Sequence, residues 1–152
     1  MLISLIKRYR YIKKLDNLIF PDKPIPIKIV WKGRQPAGYW NVQGKSKKEW
    51  YEVSFVAIPG NEFNIAVHEV RHRVQFHNPD MPLFTRDKLK MQRRNPAIQQ
   101  IIEELEAIEK KEQKPLSKIE QDAIIVARIT TKKCQGICDP VKTASQWIKK
   151  TP

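Results

Sequence analysis

An α+β fold is expected from the order of the periodic segments along this 152-residue chain. A helical repeat comes first, three short strand-like runs follow between residues 25 and 58, and helical patterns occupy most of the remainder. Length and composition agree with one domain over residues 1–152, since 41% of residues are hydrophobic and 30% charged. A chain of about 150 residues hides roughly 68–70% of its unfolded surface, so neither a disulfide nor a metal is needed merely to hold it folded.

The first element is read from Leu2, Leu5, Ile6, Tyr9, Ile12 and Leu15, which recur at helical spacing among lysines and arginines. Within residues 1–20 these positions form the buried stripe, and the basic residues are expected to solvate the outer face. Phe20-Pro21-Asp22-Lys23-Pro24 breaks the helix. Ile25 to Trp31, Tyr39 to Val42 and Glu49 to Ile58 then read as strands, the last two joined by a polar loop at Gly44-Lys45-Ser46-Lys47. Three successive strands imply a small three-stranded antiparallel or mixed sheet. Trp31, Trp40, Trp50 and Trp147 are expected to pack in the core or on the sheet.

Pro59-Gly60-Asn61 ends the third strand, and Asn61 is suited to cap a helix from Glu62 to His77, which Asn78-Pro79 stops. Asp80 to Arg94 is irregular and basic, a connecting segment whose length suits a functional loop better than a tight turn, and from Pro82 it reads as a cleft lid, a partner-binding loop or only a connector. Asn95-Pro96 opens a second helix with an apolar stripe at Ile98, Ile101, Ile102, Leu105 and Ile108. Ser117 and Glu120 have capping-box spacing before a third helix to about Thr131, and Asp139-Pro140 begins a short last one. Residues 1–20 are thus a helix leading into a core at 25–108, with C-terminal helices at 115–152.

Lys and Arg number 29 against 16 Asp and Glu, a net charge of +13, and the first fifty positions hold 12 basic and 3 acidic residues. Nucleic acid, an anionic membrane surface or an acidic protein are the partners such a balance favours. Two cysteines, Cys134 and Cys138, are too few for a disulfide framework and are expected as free thiols. No export signal or transmembrane run is visible, so a cytoplasmic protein is expected, with any membrane contact peripheral.

The informative stretch is His68-Glu69-Val70-Arg71-His72, an H-E-x-x-H motif within a predicted helix that follows a strand. Histidines four apart stand on successive turns of one face, so their ring nitrogens can converge on a cation while Glu69 acts on a water beside it. At about 100 degrees per residue, Phe63, Val67, Val70 and Val74 share one side, and Ile65, His68, Glu69, His72 and Phe76 lie opposite. The helix is expected to bury its valines and present its histidines to a cleft. A catalytic zinc takes three protein ligands, and the third must come from elsewhere. His77, nine residues from His68, faces away from it. Gln75 and Asn78 replace the glycine and third histidine of the metzincin pattern, which excludes that class. The third ligand is therefore expected to be a carboxylate. In Glu103-Glu104-Leu105-Glu106-Ala107, Glu103 faces away from the apolar stripe, Glu104 lies at its margin beside Ile101 and Ile108, and Glu106 borders the other margin. Glu104 is the best-placed acid.

Over residues 37–108, the order of strands, H-E-x-x-H helix, connector and a helix bearing E-x-E-A resembles the gluzincin branch of zincin metallopeptidases, especially the compact ImmA/IrrE family. The resemblance implies a zincin-like fold and a Zn2+ cofactor. The first glutamate of the family's E-x-E-A is the third zinc ligand and falls here on Glu104, so His68, His72 and Glu104 would hold the metal. Ile108 stands where the family usually has Asn or Asp. The implied function is a zinc-dependent peptidase acting on a peptide or protein substrate, with Glu69 as general base towards a metal-activated water. By the same analogy the Ser54-Phe55-Val56-Ala57 region would bind substrate backbone at a strand edge. The alternative class is a basic, nucleic-acid-associated regulatory protein on a zincin-like framework with weak or no peptidase activity.

Overall fold

The computed structural model describes residues 2–31, 38–43, 48–55 and 60–152, which form six α-helices and a small sheet in an α+β arrangement. Helix α1 spans Leu2–Ile19, followed by β1 at Ile27–Val30, β2 at Gly38–Gln43 and β3 at Lys48–Ser54. Helix α2 covers Glu62–His77, α3 Arg86–Leu89, α4 Pro96–Glu112, α5 Lys118–Lys133 and α6 Pro140–Ile148. The loop expected at 44–47 and the strand positions expected at 56–58 lie outside the described residues. No helix of the described residues is long and apolar enough to cross a membrane.

The sheet is mixed, with order β1-β3-β2. β1 runs parallel to β3, Ile27 opposite Tyr51 and Val30 opposite Ser54, which rules out the antiparallel alternative. β2 is antiparallel to β3, with Gly38 opposite Val53 and Gln43 opposite Lys48. Tyr51 and Val53 of β3 enter the core, and a strand that buries such residues belongs in the middle of a sheet. Of the substrate-binding edge expected at Ser54-Phe55-Val56-Ala57, residues 56 and 57 lie outside the described residues. Ser54 pairs with β1, and the outer strand that packs on α2 is β2.

Helix α2 is the hub, packed chiefly between α5 and α1. Its buried residues include Ala66, Val67, Val70 and Val74, but also Glu69, Arg71, Arg73 and Gln75. The helix is enclosed on more sides than the valine and histidine faces imply, because α5 lies along the flank that carries Arg71 and Gln75. Each buried arginine has a carboxylate: Arg73 Nη1 donates to both oxygens of Asp16 at 2.9 Å, and Arg71 is held by Asp122. Unpaired, such charges could not be buried.

Helix α1 likewise turns Arg8 and Asp16 inward beside Leu5, Ile12 and Leu15, so its basic residues do not all lie on the solvated face. Leu2 and Ile6, expected in the buried stripe, are exposed. Trp31 is also solvent-exposed, touching the Phe55 ring rather than the core. The segment after α2 is more ordered than patterning implied, forming α3, capped by Thr85 Oγ1, and a 3-10 turn at Lys90–Gln92. Asn95 and Ser117 cap their helices as expected, whereas Asn61 and Asp139 make no side-chain cap. One apolar cluster joins α1, β3, α2, α5 and α6. A second, with Leu89, Ile101, Ile102, Leu105 and Ile125, seats α4 on α5. Cys134 and Cys138 are free thiols.

Candidate metal centre

His68 and His72 stand one turn apart on α2, and their Nε2 atoms are 3.1 Å from each other. The acid that meets them is Glu120, from the first turn of α5. Its Oε1 lies 2.8 Å from His72 Nε2 and its Oε2 3.5 Å from His68 Nε2. These three side chains are the group of the described residues able to hold a metal ion. Their geometry can be tested directly. Bonds of about 2.0–2.1 Å in tetrahedral arrangement put neighbouring ligand atoms about 3.3–3.4 Å apart; the two imidazole nitrogens stand 3.1 Å apart, and each has one oxygen of Glu120 at 2.8 or 3.5 Å. Two neutral imidazoles and one carboxylate are also a donor set that suits zinc, and the three leave a fourth position for water or substrate.

Glu104 is elsewhere. Its Oε2 accepts from Arg128 Nε at 2.6 Å, on the flank of α5 that faces α4, so the structure replaces Glu104 with Glu120 beside the histidines. Glu120 had a ready local explanation as the far end of a capping box. Only half of that box forms: Ser117 Oγ accepts the Glu120 N–H at 3.2 Å, while the Glu120 side chain turns to α2 instead. His77 points away, as expected, with its Nε2 2.8 Å from Glu49 Oε2.

A layer of buried hydrogen bonds supports the histidines. His72 Nδ1 is 2.8 Å from Gln75 Oε1, an acceptor, so Nδ1 carries a proton, while Nε2 donates to Glu120 and is the nitrogen that a cation would take once that proton is lost. The Gln75 amide is fixed in turn, donating from Nε2 to Asp122 Oδ2 at 2.6 Å and to the Ile119 carbonyl at 3.0 Å. Asp122 is fully buried. It takes a two-pronged contact from Arg71, Nε to Oδ2 at 2.7 Å and Nη2 to Oδ1 at 2.9 Å, and the Phe84 N–H at 2.8 Å. Arg71 Nη1 also donates to the carbonyls of Ile148 and Lys150. The interior of the H-E-x-x-H motif thereby clamps the end of α6.

The remaining acid, Glu69, is buried next to the pair. Burial pushes its carboxyl upward, against the charges of His68 and His72 and the Trp40 N–H, which oppose the shift. That N–H, from β2, donates to Glu69 Oε2 at 2.6 Å. For His72, burial works against the charged ring, but the hydrogen bond and charge of Glu120, together with Glu69, hold its pKa above the ordinary value. Hydrogen bonds from His68 and His72 hold Glu120 well below the usual carboxylate range. Negative charge is thus concentrated where a cation would sit.

Two hollows meet at this point, sharing Trp40, His72 and Ile119. One, of about 940 Å³, extends past Ile108, Leu116 and Ile124, and the other, of about 750 Å³, extends past Phe76, Pro79 and Leu83. Asp122, Gln75 and Arg71 had not been read as functional. Asp122 carried a usable signal, being the one acid within a buried helical repeat of Ala123, Ile125 and Val126, where burial demands a partner. Glu120-Gln121-Asp122-Ala123 also repeats the acid-x-acid-alanine order of residues 104–107. Comparison with protein-family models, curated proteins and solved structures finds no match to this chain.

Proposed function

We propose that this chain is a zinc-dependent peptidase on a zincin-like framework, with His68, His72 and Glu120 as ligands and Glu69 as general base. One observation carries the reading: two imidazoles and a carboxylate converge at 2.8–3.5 Å with a second, buried carboxylate on the same helix turn. A zinc ion bound there supplies a Lewis acid for a carbonyl oxygen and lowers the pKa of a water towards about 7. The chain's own groups do the rest. The Trp40 N–H fixes Oε2 of Glu69 and so orients the carboxylate, leaving Oε1 to accept the proton of an attacking water. Burial raises the affinity of Glu69 for that proton, which favours holding it and passing it to the leaving amine. Gln75 keeps the His72 lone pair on the correct nitrogen. The two hollows on either side of the centre supply room for a peptide to cross it, with β2 as the neighbouring outer strand.

The test combines metal content with cleavage. Protein purified without a metal-binding tag is expected to hold about one zinc per chain, lost in His72→Ala and Glu120→Ala. Cleavage of unstructured protein substrates is expected to stop with a chelator and in Glu69→Gln, the latter with zinc retained. Wild-type protein that takes up no zinc on reconstitution overturns the reading.

A further inference from the structure

We propose that the outer face of α1 and the adjoining end of β1 form a docking surface for anionic lipid, seating the protein peripherally on a membrane. The apolar part of this surface is exposed rather than buried: Leu2 is 61%, Ile3 71%, Ile29 52% and Trp31 79% exposed. These residues belong to one patch. Helix α1 and β1 run in opposite directions, since Tyr51, level with Ile27 in the ladder, bonds Asp16 near the helix's end, while Ile29 faces Ile6, Tyr9 and Lys13 across a shallow apolar groove. At about 3.3 Å per strand residue and 1.5 Å per helix residue, Trp31 reaches the level of the helix's first turns, where Leu2 and Ile3 project.

Charge decides what can cover this patch. Lys7, Arg10, Lys13 and Lys14 are exposed on α1. The helix's one acid, Asp16, is buried against Arg73 and Tyr51, so it does not offset the positive field on the outer face. Aliphatic side chains and a tryptophan at one end, ringed by cations, match an interface where acyl chains meet anionic headgroups. Nucleic acid would satisfy the lysines and arginines and offers bases to stack on Trp31, but gives Leu2 and Ile3 nothing apolar to enter. β1 is also the outer strand opposite β2, so this surface and the candidate metal centre lie towards opposite edges of the sheet.

The experiment is co-sedimentation of the full, untagged chain with phosphatidylcholine vesicles, with and without roughly a quarter phosphatidylglycerol. Binding is expected only to the anionic vesicles and is expected to fall at least about tenfold when salt is raised to roughly 0.5 M. Ile3→Ser with Trp31→Ser, at unchanged charge, should weaken binding by about tenfold or more, and Lys7→Gln with Arg10→Gln and Lys13→Gln should do the same. All five positions are exposed, and unchanged circular dichroism and thermal unfolding establish that the variants are folded. His72→Ala should bind vesicles as wild type does. No binding to anionic vesicles, equal binding to phosphatidylcholine alone, or full binding by the serine double variant each overturns the proposal. Binding to duplex DNA or to an acidic peptide that survives the serine substitutions, with vesicles left unbound, also overturns it and identifies a different partner.

Discussion

Glu104-Leu105-Glu106-Ala107 on α4 and Glu120-Gln121-Asp122-Ala123 on α5 have the same acid, acid, alanine spacing but opposite surroundings. On α4 the first acid pairs with Arg128 at the surface, and Glu106 and Ala107 are exposed. On α5 the first acid meets two histidines, the second is buried against Arg71 and Gln75, and the alanine is buried. The difference lies in what each helix packs on. α5 lies along α2, whereas α4 packs on α5, α3 and the 3-10 turn. A motif of three residues becomes a site only on the helix that the core presses against the histidines.

The largest contrast is expected at the first acid. Glu120→Ala should abolish zinc binding by elemental analysis, because two imidazoles alone leave the ion without its third protein ligand. Glu104→Ala should keep about one zinc per chain. The reverse result would return the third ligand to α4 and break the comparison.

The second acid gives the next largest contrast, read as stability in urea rather than metal content. Asp122→Ala strands Arg71 inside the protein and also removes the acceptor of Gln75 Nε2 and Phe84 N–H. Breaking a buried pair in this way costs about 3–5 kcal/mol. Glu106→Ala, at an exposed position, should change stability by no more than about 0.5 kcal/mol. A mild Asp122→Ala would mean that Arg71 is carried by the Ile148 and Lys150 carbonyls instead.

These contrasts also explain what could be read beforehand. The α2 limits, the His68/His72 pair and the α4 and α5 caps follow from local rules, in which the residues concerned are neighbours in sequence. The acid that joins the two histidines does not. Choosing between Glu104 and Glu120 requires knowing which helix lies against α2, a contact between segments 48 residues apart. The amphipathic pattern of α4 is clean and puts Glu104 at the margin of its apolar stripe, while the Ser117 cap accounts for Glu120 locally. For the sheet, the strand-like runs at 25–31 and 39–42 overlap β1 and β2, but their order does not follow from hydropathy. A parallel β1–β3 pair depends on β1 lying beside β3 across the sheet, which no turn signature encodes.

Gln75 is the link through which Asp122 of α5 acts on His72, the histidine that Glu120 meets directly. Gln75→Leu keeps the side chain's approximate size but removes the acceptor at His72 Nδ1, so the ring can turn or change tautomer. Zinc affinity, measured by competition with a chromophoric chelator, should fall about 10–100-fold. Unchanged affinity would show that His72 is oriented by Glu120 alone.

The smallest effect is expected where α4 carries its own ion pair. Glu104 and Arg128 are 37% and 36% exposed on their side chains, so solvent screens much of their attraction despite the short contact. Arg128→Ala should therefore lower stability by about 0.5 kcal/mol, within the range for exposed pairs, and should leave zinc content unchanged. Loss of zinc on removing Arg128 would mean that the α4–α5 contact sets the position of Glu120 along α2. The two acidic segments would then be coupled, with the surface pair on α4 steering the ligand on α5.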